Sequence, residues 1–383
     1  MMELRFSYSL AADQNHPDAL YNLGLIFDED EEVPKDINKV IHYYTLAAEQ
    51  NNPLAQFNLG LIYHDGEYIL KDVKKAIHYY SLAADQNISQ AQYNLGVIYN
   101  KGEYVQRDIK KAIHYYLLAA NKNHPEAQFI IGTLYYEGIY FKQYINVAIR
   151  YFTLSAKRNY IRSHFVLGVI YSQGIQIERN IEEAIYHYKN GSNLRDSYSK
   201  NNLGIIYKDE KYKNNSKEYF GESIQQKNDR VSMYNLGHIY FYGEKVKQNI
   251  ERAIELFINS SLHRFKPSTI LLSLAIVKKI NKKLITKEII DTEMHKYKFE
   301  NINLLTEIYD IIQNLILENE TLYNELYVKY KKIDFSYDIY CQPIETTDFY
   351  SSQERENEKN KLKNKHSREI NKYFYEGLGF EFS

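Results

Sequence analysis

The sequence predicts an all-α solenoid built from stacked helix–turn–helix repeats. The first observation is a period of 36 residues, marked by a glycine that follows Leu or Ile, at Gly24, Gly60, Gly96, Gly132, Gly168 and Gly204, with Gly237 following after 33 residues. The second observation is a helical spacing of small and apolar residues around each of these glycines. A fixed period of this length is typical of repeat proteins, in which each unit packs only against its neighbours.

The first half of each repeat is predicted to be a helix, which we call helix A. In the second full repeat, Ala55, Leu59 and Ile62 share one helical face, and Phe57 and Leu61 form a second apolar strip on roughly the opposite side. A helix that is apolar on two sides has to be covered on two sides, as in a stack of helices. We therefore expect helix A to lie between neighbouring helices.

The repeated glycine indicates a close contact. Gly60 lies inside the predicted helix A, where glycine costs about 1 kcal/mol relative to alanine. Because the same cost recurs in every full repeat, we expect a neighbouring helix to approach closely at this position. Bulky residues such as Tyr63 and Tyr80 are then available to fill the space beside the small ones.

The second half of each repeat is predicted to be helix B. Gly66 is placed to end helix A in the left-handed conformation, and Asp72 is placed as the N-cap of the next helix. Ala76, Tyr80 and Ala83 then line one face of helix B. Each repeat is therefore predicted to be two antiparallel helices joined by a short loop.

The third repeat shows most clearly which family the chain resembles. The residues that carry the resemblance are Ala91, Leu95, Gly96, Tyr99, Gly102, Val105, Asp108, Lys111, Ala112, Tyr115, Tyr116, Ala119 and Ala120. This pattern resembles the Sel-one-like repeat, a branch of the tetratricopeptide superfamily, over roughly residues 3–275. The resemblance implies a right-handed superhelix with helix A lining the concave face. It also implies an adaptor that assembles protein complexes.

The repeat pattern sets the predicted domain boundaries. Residues 1–15 read as half a repeat with only its second helix, and residues 16–279 as the solenoid. Residues 280–332 are predicted to form a helical C-terminal cap, and residues 333–383 an irregular, charged tail. The sixth repeat is degraded in its second half, so a local change of curvature is expected over residues 208–226.

The N-terminal half-repeat predicts an exposed apolar face. Leu4, Tyr8, Ala11 and Ala12 share one helical face, and no helix A precedes them to cover it. Terminal repeats normally need a polar outer surface, and exposed apolar patches mark interfaces. We therefore expect that the chain is the tail of a longer product or that it self-associates through this end.

Composition excludes several functional classes. The net charge of -1 predicts no general attraction to nucleic acid or to anionic membranes. The longest apolar run near the C-terminus, residues 270–277, is too short for membrane insertion. Cys341 is the single cysteine, so an intramolecular disulfide is impossible and a cysteine-based metal site is not expected. With no basic-then-apolar leader in residues 1–15, the expected location is cytoplasmic.

The residue types that carry chemistry form no recognisable catalytic or metal site. His42, His78 and His114 recur at one position of helix B, which raises the question of a metal site. Packed helices lie about 8–10 Å apart, whereas zinc ligands lie about 2 Å from the metal, so an exposed polar position on the outer face is the better interpretation. Phosphate-binding loops, nucleophile elbows and kinase motifs are absent from the sequence. We expect no catalysis, no cofactor and no metal.

One row of polar residues is a candidate binding site. Asparagine immediately precedes the Leu-Gly dipeptide in five repeats, at Asn22, Asn58, Asn94, Asn202 and Asn235. In tetratricopeptide relatives the matching position faces the groove, so the row is a candidate for holding the main chain of an extended peptide. The alternative is that these amides bridge neighbouring turns within the stack. Ile130 and Val166 interrupt the row, so the central repeats are expected to bind differently.

These observations favour a non-catalytic scaffold that binds other proteins or peptides on the concave face. Two alternatives remain open at this point. In the first alternative, the chain is a regulatory or targeting fragment of a larger enzyme, for example one with a kinase domain. In the second, it is a subunit of an endoplasmic-reticulum quality-control complex.

Overall fold

In the computed structural model of the 383-residue chain, the described residues form helices joined by short connections. The structure describes residues 8–280 except 13, 30–35, 139, 209–215, 228 and 245, and beyond them residues 290, 292, 294, 295, 301–317, 324 and 326–330. The helices are α1 (Pro17–Glu29), α2 (Ile37–Glu49), α3 (Pro53–Asp65), α4 (Val73–Asp85), α5 (Ser89–Lys101), α6 (Ile109–Asn121), α7 (Pro125–Glu137), α8 (Ile145–Ala156), α9 (Ile161–Gln173), α10 (Ile181–Asn193), α11 (Ser197–Ile206), α12 (Ser216–Lys227), α13 (Arg230–Tyr242), α14 (Ile250–Leu262), α15 (Lys266–Ile280) and α16 (Ile302–Leu317).

Consecutive helices pack in pairs, and this confirms the predicted repeat. From α1–α2 to α13–α14, each odd-numbered helix is helix A and the next is helix B of one repeat. The chain divides into two compact units, one with the four repeats up to Tyr160 and one running from Ile161 to Gln342. Within the described residues, no helix is long and apolar enough to cross a membrane.

The predicted start and stop signals are present. The Asp72 carboxylate accepts the backbone N–H of Lys75 at 3.0 Å and so caps α4. Gly66 ends α3 with a φ of 69°, and its N–H donates to the carbonyl of Ile62. Both features were predicted from the residue type alone.

A second row of asparagines ends the B helices, and the sequence prediction missed it. The residues in the left-handed conformation just after helix B include Asn15, Asn51, Asn87, Asn123 and Asn159, with φ between 59° and 67°. Asparagine adopts this conformation more readily than most residues other than glycine. The sequence signal was the 36-residue spacing of these asparagines, which lies in the return to the next helix A.

The helix A glycines pack against an aromatic ring of helix B, and this confirms the expected close approach. A Cβ added at Gly96 would lie 2.7 Å from Cε1 of Tyr116, which is closer than side chains pack. The same relationship joins Gly24 to Tyr44, Gly60 to Tyr80, Gly132 to Phe152, Gly168 to Tyr188, Gly204 to Phe220 and Gly237 to Phe257. These rings are almost completely buried, so the glycine makes room for the largest side chain in each repeat core.

The second unit ends with two helices beyond the last full repeat. The predicted final helix A is observed as α15, with the buried Ser273 in the glycine position. Helix α16 packs against α15 and buries Ile308, Ile312 and Leu315. The helix predicted from Leu304 is observed as far as Leu317, and residues 326–330 are again helical. The predicted tail, residues 333–383, lies outside the described residues.

The sixth repeat departs from the others, as its sequence indicates. Its helix A, α11, has 10 residues, whereas α3 and α5 have 13 each. It ends at Tyr207 without the glycine cap. The loop that follows, residues 209–215, lies outside the described residues, and the expected change of curvature over residues 208–226 stays a prediction.

Candidate partner-binding surface

One side of helix A is hydrogen-bonded to the preceding helix B in the second, third and fourth repeats. A buried glutamine two residues before the asparagine position donates its amide to a carbonyl at the end of the preceding helix B, at 3.0–3.1 Å, in the pairs Gln56–Ala48, Gln92–Ala84 and Gln128–Ala120. Because a buried amide that loses its partner is costly, this row fixes the orientation of helix A. These glutamines share the 36-residue spacing, but their residue type alone did not predict this contact.

The outer side of the first five repeats carries stacked aromatic rings. Tyr63 of α3 stacks on Tyr79 of α4 at 5.8 Å with an interplanar angle of 6°, and the Lys75 ammonium lies 4.8 Å from the Tyr63 ring. Equivalent stacks recur in the pairs Phe27–Tyr43, Tyr99–Tyr115, Tyr135–Tyr151 and Tyr171–His187. These contacts join helix A to helix B within each repeat.

The three helix B histidines lie on this outer side. His42, His78 and His114 are exposed, and each ring contacts the neighbouring tyrosine at 5.2–5.5 Å. The structure therefore gives them the outer polar position that the sequence favoured. In the part of the chain that the structure describes, no three His, Cys, Asp or Glu side chains are grouped to hold a metal ion.

The remaining side of helix A is only partly covered in the first unit. On α3, Leu54, Asn58, Leu61 and Asp65 follow the spacing i, i+4, i+7 and i+11, which places them on one helical face. Leu54 is 44% exposed, Asp65 is also exposed, and Asn58 and Leu61 are half-buried. We call this set of positions the helix A face. It combines an apolar centre with an amide and a charge.

The helix A face recurs in the repeats beside α3. On α5 it consists of Gln90, Asn94, Val97 and Lys101, with the two ends exposed and the centre half-buried. In the first repeat, Asn22 and Leu25 are half-buried as well, at the positions of Asn58 and Leu61. The fourth repeat differs, because Ile130 replaces the asparagine and Thr133 is buried with its hydroxyl donating to the carbonyl of Phe129.

The last two members of the asparagine row lie inside the stack, unlike the first three. Asn202 is 3% exposed and donates its amide to the Tyr188 hydroxyl of the preceding helix B at 3.0 Å. Asn235 is fully buried and donates to the Asn201 side chain at 2.9 Å. At these two positions the structure therefore favours the alternative, in which the amides bridge neighbouring helices within the stack, over a groove-facing site. The cause is tertiary, since a buried polar network links α11, α12 and α13.

Asn94 has an intermediate environment. Burial raises the pKa of the Tyr80 phenol, and the nearby Asn94 amide offsets part of that rise. Tyr80 precedes Asn94 by the same number of residues that separate Tyr188 from Asn202. The contact with Tyr80 supports bridging within the stack at this position, and binding of a partner by Asn94 stays a prediction.

A pair of buried histidines replaces the usual residues in the fifth repeat. His164 stands in the glutamine position and His187 in the aromatic position of the outer stack, and their Nδ1 atoms lie 3.2 Å apart. Burial, assisted by the neighbouring His164, lowers the pKa of His187 to about 4. The sequence analysis missed this pair, because the two rings are brought together only by the packing of α9 on α10.

The comparisons with solved structures agree with this architecture. A protective antigen of uropathogenic Escherichia coli with an SLR fold superimposes with a TM-score of 0.69 at 22% identity, covering 86% of this chain and 68% of the other. A Sel1 repeat protein from Oxalobacter formigenes gives a TM-score of 0.50 at 30% identity, covering 56% of this chain and 86% of the other. A search of curated proteins found no match.

The sequence pattern of the Sel1 repeat covers more than half of the chain. It matches residues 17–52, 53–88, 89–124, 125–160, 161–196 and 230–261. The unmatched stretch between the last two matches is the degraded sixth repeat, in which α11 is short and lacks its glycine cap. The chain therefore belongs to the Sel1 repeat family, and its helix–turn–helix pairs form a TPR-like solenoid.

Proposed function

We propose that this protein is a non-catalytic scaffold that binds partner proteins or peptides on the helix A face of its first three repeats. One observation carries the proposal. On α3, the face formed by Leu54, Asn58, Leu61 and Asp65 is left partly or largely exposed, while the other sides of the helix are occupied by packing. Apolar residues held on a rigid frame beside a few polar groups are the usual composition of a binding surface.

The asparagines supply the directional part of this recognition. An amide both donates and accepts, so Asn22, Asn58 and Asn94 can each contact a partner's main chain. The half-buried Leu25, Leu61 and Val97 beside them supply apolar contact. Because these residues recur at one position per repeat, a partner that lies along the stack contacts them in series. Asn202 and Asn235 do not belong to this surface, since both are buried.

A second copy of this chain is a further candidate partner. Of the predicted N-terminal patch, Tyr8, Ala11 and Ala12 are half-buried on a helical segment, and Leu4 lies outside the described residues. Leu10 belongs to the same segment but not to the patch, and it is 51% exposed. Light scattering of the protein and of Tyr8→Glu tests this proposal, with Leu10→Glu as the control outside the patch, because a charge at the interface lowers the mass of a self-associating protein and leaves a monomer unchanged.

The main experiment uses site-specific photo-crosslinking. A photoreactive residue at Leu61 is expected to capture a discrete partner, whereas one at His78 on the outer face serves as the matched exposed control. The affinity of the captured partner is then measured for the wild-type chain and for the double variant Asn58→Ala with Asn94→Ala. The double variant is expected to bind the partner more weakly by about 1–3 kcal/mol. The pair His78→Ala with His114→Ala is expected to leave affinity unchanged. Equal crosslinking at both positions would count against the proposed face.

A further inference from the structure

The helix A face of the seventh repeat is already occupied by a segment of the same chain. Residues 326–330 are helical and lie against α13, where they contact His238, Phe241 and Tyr242. His238 and Tyr242 stand in α13 where Leu61 and Asp65 stand in α3. The contact therefore uses positions that are partly or largely exposed in the second repeat.

Two side chains of α13 bind the main chain of this segment. The Tyr242 hydroxyl donates to the carbonyl of Tyr327 at 2.8 Å, and the His238 ring meets the carbonyl of Tyr330 through Nε2 at 2.8 Å. A carbonyl oxygen only accepts, so Nε2 of His238 carries the hydrogen. The two carbonyls are three residues apart and lie on one side of the helix. A helical carbonyl has a second lone pair available for such a bond.

Aromatic rings supply the rest of the contact. The Tyr327 ring lies 4.8 Å from the Tyr242 ring and 5.7 Å from the Phe241 ring. The Lys278 ammonium of α15 lies 5.1 Å from the Tyr327 ring and 5.2 Å from the Phe241 ring. Burial lowers the pKa of Lys278. Tyr327 is therefore the central side chain of the docked segment.

An ionised carboxylate lies beside the His238 ring. Nδ1 of His238 lies 3.6 Å from the Glu244 carboxylate, which is longer than a hydrogen bond, and this carboxylate in turn lies 2.7 Å from the Lys208 ammonium. Burial raises the pKa of Glu244, but the neighbouring His238 and Lys208 outweigh it and bring the value down to about 2. Glu244 is thus a charged carboxylate next to the docked segment, and Lys208 neutralises it.

These groups are particular to the seventh repeat. The positions of His238 and Tyr242 hold Leu61 and Asp65 in the second repeat, and Val97 and Lys101 in the third. His238 and Tyr242 therefore depart from the repeat pattern, and the other repeats fold without a histidine and a tyrosine at these positions. Their shared contact with the helical residues 326–330 explains why both are present in this repeat.

The docked segment is only partly enclosed. Tyr330 is buried, but Val328 is 54% exposed and Lys329 is exposed as well. A short segment held by a few side-chain contacts opens locally at a much lower free energy than global unfolding. We infer that His238, Phe241 and Tyr242 form a helix-docking site that residues 326–330 occupy in cis, and that a partner helix with an aromatic residue in the place of Tyr327 displaces them. This site is on α13, so it can fail or succeed independently of the face proposed above.

The test uses the full-length chain and a labelled synthetic peptide spanning residues 320–332, measured by fluorescence anisotropy. Tyr327→Ala in the chain removes the ring of the resident segment and leaves the site intact. The peptide is therefore expected to bind this variant at least about tenfold more tightly than the wild-type chain. Adding Tyr242→Phe removes one hydroxyl donor and is expected to weaken that binding about fivefold. Val328→Ala, at an exposed position of the same segment, is the matched control and should behave as wild type.

Hydrogen exchange on Tyr242→Phe gives a second measurement without an added ligand. Faster exchange at residues 326–330 with an unchanged melting temperature supports an exchangeable segment, and unaltered exchange contradicts it. Equal peptide affinity for the wild type and a folded Tyr327→Ala chain overturns the inference. A Tyr327→Ala chain that fails to fold overturns it too, because the segment is then part of the core.

Discussion

The Nδ1 atoms of His164 and His187 lie 3.2 Å apart in the interior of the fifth repeat. At this distance one ring donates a hydrogen to the other, so the pair is stable when at least one of the two is neutral. Both rings are 6% exposed, and the His187 ring also stacks on Tyr171. A second proton would place two charges side by side in a site that excludes water.

The first prediction is that this pair makes the fold acid-sensitive. Because the folded pKa of His187, about 4, lies below its ordinary value of 6.5, the unfolded state binds more protons between these two pH values. The stabilisation is therefore complete above about pH 6.5 and is lost as the pH falls towards 4, by up to about 3 kcal/mol. Urea unfolding at a series of pH values measures this slope.

The matched control restores the residues that the other repeats use at these positions. His164→Gln with His187→Tyr recreates the glutamine and tyrosine of the second, third and fourth repeats. This double variant is expected to lose stability less steeply between pH 6.5 and 4 than the wild type, since the remaining slope comes from other groups. Identical slopes would show that the histidine pair does not titrate as described.

A second prediction concerns the helix A glycines. Gly96→Leu forces a side chain into the ring of Tyr116 and is expected to destabilise the fold by about 1–3 kcal/mol. Gly221→Ala is the contrasting variant, because nothing lies within 4 Å of an added Cβ in α12. Replacing this helical glycine should stabilise by about 0.5–1 kcal/mol. Thermal melts of both proteins distinguish a packing glycine from a merely tolerated one.

A third prediction separates two members of the asparagine row. Asn202→Ala leaves the buried Tyr188 hydroxyl without its amide donor and should cost about 1–3 kcal/mol of unfolding free energy. Asn94→Ala acts at a half-buried position and should cost about 0.5 kcal/mol. Denaturant unfolding gives both values. A large loss at Asn94 would favour bridging within the stack over partner binding at that position.

A fourth prediction concerns the asparagines that end the B helices. Asn123 has a φ of 65°, which most side chains avoid. Asn123→Ala is expected to destabilise by about 1 kcal/mol, whereas Asn123→Gly should be close to neutral, since glycine adopts this φ freely. Asn123→Ala should therefore melt at a lower temperature than Asn123→Gly. Equal losses in the two variants would mean that the amide itself is needed and that the backbone conformation is not the cause.

Much of the architecture follows from local sequence. The helix boundaries, the Asp72 cap and the left-handed Gly66 were all predictable, because each depends on a few neighbouring residues and on the backbone conformations that they prefer. The close contact at Gly96 was also predictable, since a costly residue that recurs with the period needs a packing reason. The same reasoning named two tyrosines of the repeat, Tyr63 and Tyr80, as candidates to fill the space, but it did not decide which ring contacts the glycine. That choice depends on how helix B crosses helix A.

The binding surface was decided by tertiary structure. Asn58, Asn202 and Asn235 hold one position in the repeat, yet the first is half-buried and the other two are enclosed. The repeat pattern treats these residues as equivalent, whereas exposure depends on the residues that neighbouring helices bring to the same place. In the same way, the contacts of His238 and Tyr242 with residues 326–330 join positions more than 80 residues apart. The sequence by itself determined the period and the helices, which arise from short-range preferences, and only the folded chain decided which side of each helix stays open.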